Sequence, residues 1–161
     1  MAKEIDTADV EKMFAKLKQQ YKTDAKDVKA GYISHDKGKK PYKDKDAPFI
    51  DNVALWNEFG TENIPARPFL RRAQARVNER GARILKALMD DGVPLDKALK
   101  QIGVMMQGEI KQQITHGTFT PNAPSTIARK GSSRPLVDTG NLLQSVHWGV
   151  VKKDGTENIE E

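Results

Sequence analysis

The chain has 161 residues, a formal net charge of +5, no cysteine and three histidines. Its length corresponds to one domain large enough to bury a core, and 30% of charged residues fits a globular protein. No apolar run approaches the ~20 residues that cross a bilayer, and the lack of cysteine excludes a disulfide framework and a thiolate metal site. We therefore expect a protein synthesised in the cytoplasm, whose positive charge allows contact with nucleic acid or with acidic proteins.

The first third of the chain predicts one helix, one strand and one polar loop. Residues 4–21 carry apolar side chains at near-helical spacing and predict a short amphipathic helix. In residues 28–33, Val28, Ala30 and Tyr32 alternate with other residues, which is typical of a half-buried strand. Lysines and aspartates are interleaved in the following stretch, so we favour a solvated loop over a nucleic-acid contact there.

Two helices are predicted next, separated by a turn with two prolines. Residues 49–60 place apolar side chains on about one helical face, with Asp51 or Asn52 as the expected N-cap and Gly60 as the expected left-handed stop. The second helix is predicted over 68–91. Its first residue is a proline, which suits that position because its missing N–H needs no partner there.

A further long helix, a loop, a strand and a tail complete the predicted elements. Residues 95–115 show a continuous buried stripe at helical spacing, and 145–152 alternate as in a strand. The acidic residues 153–161 predict a disordered tail. Together these elements predict an α+β domain over 27–152, in which a small mixed or antiparallel sheet packs against two long helices. A helical extension, 1–26, precedes it.

One short segment resembles a catalytic signature. Asp138, Thr139 and Gly140 form the Asp-Thr-Gly sequence of aspartic proteases, whose chemistry needs two carboxylates that share a proton. The chain has no second copy of that sequence, and Asp and Gly are common in turns, so we interpret the segment as a structural turn. The histidines lack metal-ligand spacing, and no phosphate-binding glycine loop or nucleophile elbow is present. We expect no catalytic residue, no cofactor and no metal.

The segment 67–86 is strongly basic, with six arginines and one lysine against a single glutamate. Four of the arginines fall at i, i+4, i+8 and i+11 and align in one stripe: Arg72, Arg76, Arg80 and Arg83. Such a stripe can follow nucleic-acid phosphates, can be the solvent face of an amphipathic helix, or can dock an acidic partner or neighbouring subunit. Contact with DNA or with an acidic partner is expected at Arg80, Arg83 and Lys86.

Two segments resemble the hallmarks of phage neck and tail-completion (tail-component) proteins. The first is "ALWNEFGTENIPARPFLRRA" (54–73), where an aromatic-rich Glu-Phe-Gly-Thr precedes a spacer and a Pro-Ala-Arg-Pro-Phe-Leu-Arg run that opens a long helix. The second is "PLVDTGNLLQSVHW" (135–148), preceded by the linker-like "APSTIARKG" (123–131). In the commonest form of that family the second segment comes first, so the two stand here in permuted order.

The resemblance implies a non-enzymatic virion protein at the head–tail junction that forms a closed ring, expected to be a hexamer. It also implies contacts with the head connector or stopper and with tail tube or tail terminator proteins, contact with DNA in the channel, and no membrane partner. The alternative is a basic nucleic-acid-binding domain acting through 67–86. We interpret "EFGTENIPARPF" (58–69), within the first segment, as an architectural elbow near a subunit boundary. The residues expected at a subunit or partner interface are Trp56, Glu58, Phe59, Gly60, Thr61, Pro65, Arg67, Pro68, Phe69, Arg72 and Arg76.

Overall fold

The computed structural model describes residues 11–12, 15, 25–33 and 46–160. Apart from the helical residues 11, 12 and 15, the predicted N-terminal helix lies outside the described residues, and so does the lysine-rich part of the predicted loop. The fold is α+β, as predicted. Its elements are β1 (Ala25–Gly31), α1 (Ile50–Phe59), α2 (Phe69–Asp90), α3 (Leu95–His116), α4 (Pro124–Lys130), α5 (Asn141–Gln144), β2 (His147–Lys152) and β3 (Glu157–Glu160).

The three strands form an antiparallel sheet in the order β1-β2-β3, with β2 in the centre. Val28 lies opposite Val150 and Ala30 lies opposite Trp148. The ring of Trp148 lies on Gly103 of α3, where a Cβ atom would come within 2.0 Å of the ring. The close approach of sheet and helix therefore requires glycine at 103, which explains a residue that weakens helices in the middle of α3.

The long helices α2 and α3 pack along each other, and two buried clusters lie at the two ends of this pair. One cluster is centred on Phe69, which is 0% exposed, and joins α1, α2, α3 and α5. The other lies where α2 ends and α3 begins, beneath the sheet, and its buried members are Leu85, Met89, Leu95, Ala98 and Leu99. The site described below is built around the first cluster.

The predicted helix starts are corrected by the structure. Neither Asp51 nor Asn52 is the N-cap of α1, because the helix begins at Ile50 and Phe49 occupies that position without a side-chain cap. Pro68 has a ψ of 67° and precedes α2 as its N-cap, one residue earlier than the predicted first helical position. The acceptor for the free N–H groups of α2 comes from another helix, as described below.

The predicted disordered tail over 153–161 is wrong, because Glu157–Glu160 forms β3. The connecting turn contains Gly155 at a φ of +85°, and Asp154 Oδ1 accepts the N–H of Thr156 at 2.8 Å. That hydrogen bond lowers the pKa of the Asp154 carboxyl. An Asp-Gly pair between two short strands is a strong hairpin signal, and here it outweighs the acidic composition. The sheet thus extends beyond the predicted domain limits of 27 and 152.

Candidate interaction site

Residues 60–68 connect α1 to α2 and form a tight turn, called the elbow below. Gly60 has φ +80° and ψ 171°, so its φ is positive as predicted but its ψ is not that of a left-handed helix. A Cβ at this position would come within 2.9 Å of the Ala66 nitrogen and the Ile64 oxygen. Thr61 closes the turn, because its N–H donates to the Ile64 carbonyl at 2.8 Å and its Oγ1 accepts the Ile64 N–H at 3.2 Å. The turn therefore requires glycine and is held by local bonds.

Glu58 joins the last turn of α1 to the first turn of α2. Its side chain is buried, and its carboxylate accepts the N–H of Leu70 at 2.8 Å and the N–H of Arg71 at 3.2 Å. The Arg71 Nε also donates to this carboxylate, at 2.9 Å. The first N–H groups of a helix lack intrahelical acceptors, and the helix dipole favours negative charge there. Glu58 thus serves as the missing cap of α2.

Arg67 ties the elbow to the loop that precedes α4, and it is only 6% exposed. Its Nε donates to the Thr120 carbonyl at 2.9 Å, and Nη1 donates to Asn57 Oδ1 at 3.2 Å. Its Nη2 donates to the Pro121 carbonyl at 3.3 Å and to Asn122 Oδ1 at 3.2 Å. Burial lowers the pKa of this guanidinium. The acceptors of these four hydrogen bonds are all neutral oxygens.

Three residues expected at a subunit interface are interior residues of this chain. Glu58 and Arg67 are buried in the contacts just described, and Phe69 lies in the core with its ring edge-on to Tyr32 at 6.3 Å. The interface prediction is wrong for these three side chains, because their own chain already covers them. Thr61 and Pro65 are exposed, and Gly60 and Pro68 are half-buried.

Large apolar side chains are exposed on the solvent side of α1. Leu55 is 53% exposed, Trp56 39% and Phe59 62%; we call these three residues the apolar α1 face. The guanidinium carbon of Arg71 lies 5.2 Å from the centroid of the Phe59 ring. Our sequence prediction included Trp56 and Phe59 but missed Leu55, although its i,i+4 spacing from Phe59 places both on one helical face. Adjacent exposed residues of this size often mark an interaction surface.

A groove of about 940 Å³ adjoins the apolar α1 face. It lies between β1 on one side and α1 and α2 on the other, and Met106 and Ile110 of α3 also line it. The groove adjoins β1, which pairs with β2 alone among the residues that the structure describes. Leu55 and Phe59 line the groove too, so the face and the groove form one continuous surface.

Two arginines of the predicted stripe converge on a buried carboxylate of α3. Arg80 Nη1 lies 2.7 Å from Glu109 Oε1, and Arg76 Nη1 lies 3.9 Å from Glu109 Oε2. Glu109 is only 6% exposed, whereas both arginine side chains remain more than half exposed. Our sequence analysis missed Glu109 because periodicity cannot show which acid faces a stripe on another helix. The acidic partner of this stripe is therefore within the same chain.

Arg72, the first arginine of the stripe, also contacts its own chain. Arg72 Nη1 donates to the Thr118 carbonyl at 2.7 Å, and its guanidinium carbon lies 4.8 Å from the centroid of the Phe119 ring. These contacts hold the loop after α3 against α2. Arg72 is exposed, but it is engaged by its own chain and is not a free cation.

The last two basic residues of α2, Arg83 and Lys86, contact acceptors on that helix itself. Arg83 Nε and Nη2 donate to the Glu79 carbonyl at 3.2 and 3.1 Å. Lys86 forms an exposed ion pair with Asp90, one turn along the helix. Neither residue links α2 to another element through these bonds.

The Asp-Thr-Gly segment forms the turn that begins α5. Thr139 Oγ1 accepts the N–H of Asn141 at 3.4 Å, and Gly140, at a φ of +83°, is the N-cap of α5. Asp138, Thr139 and Gly140 also line a cavity of about 230 Å³, and Asn57 and Arg67 contribute to the same lining. The two segments that resemble the neck and tail-completion family therefore face each other across this space, called the inter-motif cavity below.

The inter-motif cavity is rich in positive charge. Arg67, Arg129 and Lys130 line it together with a single carboxylate, that of Asp138. Burial lowers the pKa of Lys130; the charge of Asp138 acts in the opposite direction, and those of Arg67 and Arg129 add to the lowering. The Lys130 Nζ donates to the Arg134 carbonyl at 3.1 Å.

No protein-family model, no curated protein and no solved structure matches the chain. Within the described part of the chain, no three His, Asp or Glu residues are grouped as a metal site. None of the helices described is both long enough and apolar enough to cross a membrane. A functional proposal therefore depends on the geometry of this surface and on the two sequence segments.

Proposed function

We propose that the chain is a structural, non-enzymatic protein of a phage virion at the head–tail junction. It would be a neck, tail-completion or tail-terminator component that forms a ring between head connector and tail. The observation that carries the proposal is the apolar α1 face beside the open groove. Exposed apolar area of this kind favours association, because covering it removes the area from water. The two sequence segments, folded around one cavity, add support from the resemblance.

The chemistry of the face suits a subunit contact. Trp56 and Phe59 are large side chains with few rotatable bonds, so they lose little entropy when a partner covers them. The face and the adjoining groove form one continuous surface, and in a heterologous contact a different surface of the next subunit would cover it. Such contacts close into a ring when the rotation between subunits allows it.

The contacts beneath the face hold it in a fixed position. Glu58 and Arg71 join α1 to α2, and the Arg67 N–H donates to the Asn57 carbonyl at 2.6 Å. Gly60 sets the turn between the two helices. A preorganised face loses less conformational freedom on association. The elbow therefore acts as a support for the interface, with Trp56 and Phe59 as the contacting residues.

The alternative function, nucleic-acid binding through 67–86, has less support from the contacts. Arg67 is buried, and the four stripe arginines all donate to or pair with acceptors in this chain. A phosphate would have to displace these acceptors or share the guanidinium groups with them. The exposed parts of Arg76 and Arg80 are the remaining basis for this alternative.

Sedimentation velocity of the full chain tests the proposal. We expect the wild-type protein to sediment as an oligomer and Leu55→Gln with Phe59→Gln to sediment as a monomer. The far-UV circular dichroism spectrum of the double variant should match that of wild type, because both side chains are more than half exposed on the folded chain and its fold does not depend on them. The matched control is Val104→Gln on α3, also exposed at 56%, which should leave the oligomer intact. A monomeric wild-type protein, or an oligomer that persists in the double variant, would contradict the proposal.

Duplex DNA binding measured by fluorescence anisotropy tests the alternative. Replacing the four stripe arginines by glutamine would reduce the slope of log affinity against log salt by up to ~3–4 if each held a phosphate. Our proposal predicts weak DNA binding by the wild-type protein and little change in that slope. Tight, salt-sensitive binding that the quadruple variant loses, with assembly intact, would support the alternative instead.

A further inference from the structure

We propose that the inter-motif cavity is a carboxylate-binding site, and that its ligand is an acidic side chain from the C-terminal segment, 154–161, of a second copy of this chain. This inference rests on the proposed self-association and adds a second, electrostatic contact to it. The supporting observations are the charge in the cavity, its size, and the distribution of acidic residues along the chain.

The charge in the cavity is not balanced by its own residues. Three cationic side chains line it against the single carboxylate of Asp138. Arg67 is the most buried of the three and makes four hydrogen bonds with its five N–H donors, all to neutral oxygens. A buried charge without a counter-ion is unfavourable. An added carboxylate would therefore be attracted to this space.

The size of the cavity limits what can enter. A volume of about 230 Å³ lies below the roughly 300–1,000 Å³ typical of sites for whole small molecules. It suits the end of one side chain. Asn63 adds an amide group to the lining, whereas the Nδ2 groups of Asn57 and Asn122 donate to carbonyl groups of this chain. The phosphates of duplex DNA are part of a wide backbone that does not enter so small a space.

The chain itself carries a matching acidic segment. Its net charge is +5, yet its last eight residues contain four acids and no lysine or arginine: Asp154, Glu157, Glu160 and Glu161. β3 is an edge strand in its own sheet, and no residue of that sheet lines the cavity. Glu157 pairs with Lys29 Nζ at 3.1 Å, but this pair is largely exposed, and exposed pairs exchange at little cost. A basic cavity and an acidic segment at separate places fit head-to-tail association.

Fluorescence anisotropy with a labelled synthetic peptide of residues 150–161 tests the inference without requiring ring formation. We expect the peptide to bind the full chain saturably. The combined variant Arg129→Gln with Lys130→Gln should bind it with an affinity at least about tenfold weaker. The matched control, Arg83→Gln with Lys86→Gln, removes the same charge from the second half of α2 and should bind like wild type. A peptide with glutamine and asparagine in place of its acids should not bind.

Asp138→Asn gives a second test with the opposite sign. Removing the Asp138 carboxylate from the lining should raise the affinity for the peptide several-fold, because that carboxylate repels the incoming acid. If Asp138 only stabilises the turn, the substitution should leave the peptide affinity unchanged. The inference would be overturned if the peptide does not bind, or if both double variants lose the same affinity for it. It would also be overturned if inorganic phosphate or duplex DNA competes with the labelled peptide better than the unlabelled peptide does. If the wild-type protein is oligomeric but binds no peptide, the inference fails while the proposed function stands.

Discussion

The parts of α2 before and after Gly81 both carry positive charge, and they differ in where that charge is bound. Before Gly81, Arg71 contacts Glu58 of α1, and Arg76 and Arg80 contact Glu109 of α3. After Gly81, Arg83 and Lys86 contact a carbonyl and a carboxylate of α2 itself. The basic side chains of one helix therefore serve two purposes. Those before Gly81 join α2 to other elements, and those after it contact their own helix.

The largest expected effect is at the buried end of α2. Phe69→Ala should lower the free energy of unfolding by about 3–5 kcal/mol, because it leaves a cavity in the fully buried first cluster. Phe59→Ala, ten residues earlier on the exposed face, is the control and should change it by no more than about 0.5 kcal/mol at protein concentrations at which both variants are monomeric. Urea denaturation measures both. Similar effects for the two variants would remove the distinction between core and interface aromatics.

The comparison between the parts of α2 before and after Gly81 is tested by a matched pair of double variants. Arg76→Gln with Arg80→Gln leaves the buried Glu109 carboxylate without its ion-pair partners and should cost about 1–3 kcal/mol of unfolding free energy. Arg83→Gln with Lys86→Gln makes the same change in charge and should cost no more than about 0.5 kcal/mol, since its contacts are exposed. Equal losses of unfolding free energy in chemical denaturation would show that the two parts of α2 contribute equally to stability.

These contacts also show what could be predicted from the sequence. The helical periods of α2 and α3 follow from local spacing, so both helices and the α+β class were predictable. Glu58 and Glu109 were not recognisable as partners, because a buried ion pair joins residues that are distant in sequence. The capping of α2 by Glu58 was not predicted, for the same reason. β3 was predictable in principle, because Asp154-Gly155 is a local hairpin signal.

A pH-dependent effect is expected at Tyr32, which packs on Phe69 and donates to the Leu142 carbonyl at 2.8 Å. Burial raises the pKa of Tyr32 above its ordinary value of about 10. The folded state therefore keeps this proton at pH values where the unfolded state loses it. The stabilising contribution is fully present below about pH 10 and declines as the pH rises further.

Tyr32→Phe isolates this contribution. Near neutral pH, the variant should have an unfolding free energy about 1 kcal/mol lower than wild type, because it lacks the hydrogen bond to Leu142. This difference should shrink as the pH rises above about 10. Unfolding free energies from about pH 8 to about pH 12 measure that difference. A difference that stays constant over this range would show that the hydroxyl ionises equally in both states.

The smallest effect is expected at Asp138, an exposed acid that contrasts with the buried Glu109. Asp138→Asn should change the free energy of unfolding by less than about 0.5 kcal/mol, because asparagine suits the same turn. The wild-type protein should also show no pepstatin-sensitive cleavage of a casein substrate at acidic pH. Such cleavage, abolished by the substitution, would restore the protease interpretation of the Asp-Thr-Gly segment.

Electron-microscopy class averages of the purified full chain test the central claim most directly. We predict closed rings, with a hexamer as the expected form, and no rings when Leu55→Gln and Phe59→Gln are combined. The Val104→Gln protein should form the same rings as wild type, because its side chain lies outside the apolar α1 face. Monomeric particles in the wild-type sample would contradict a ring built on this face. So would rings that persist when Leu55 and Phe59 are both replaced.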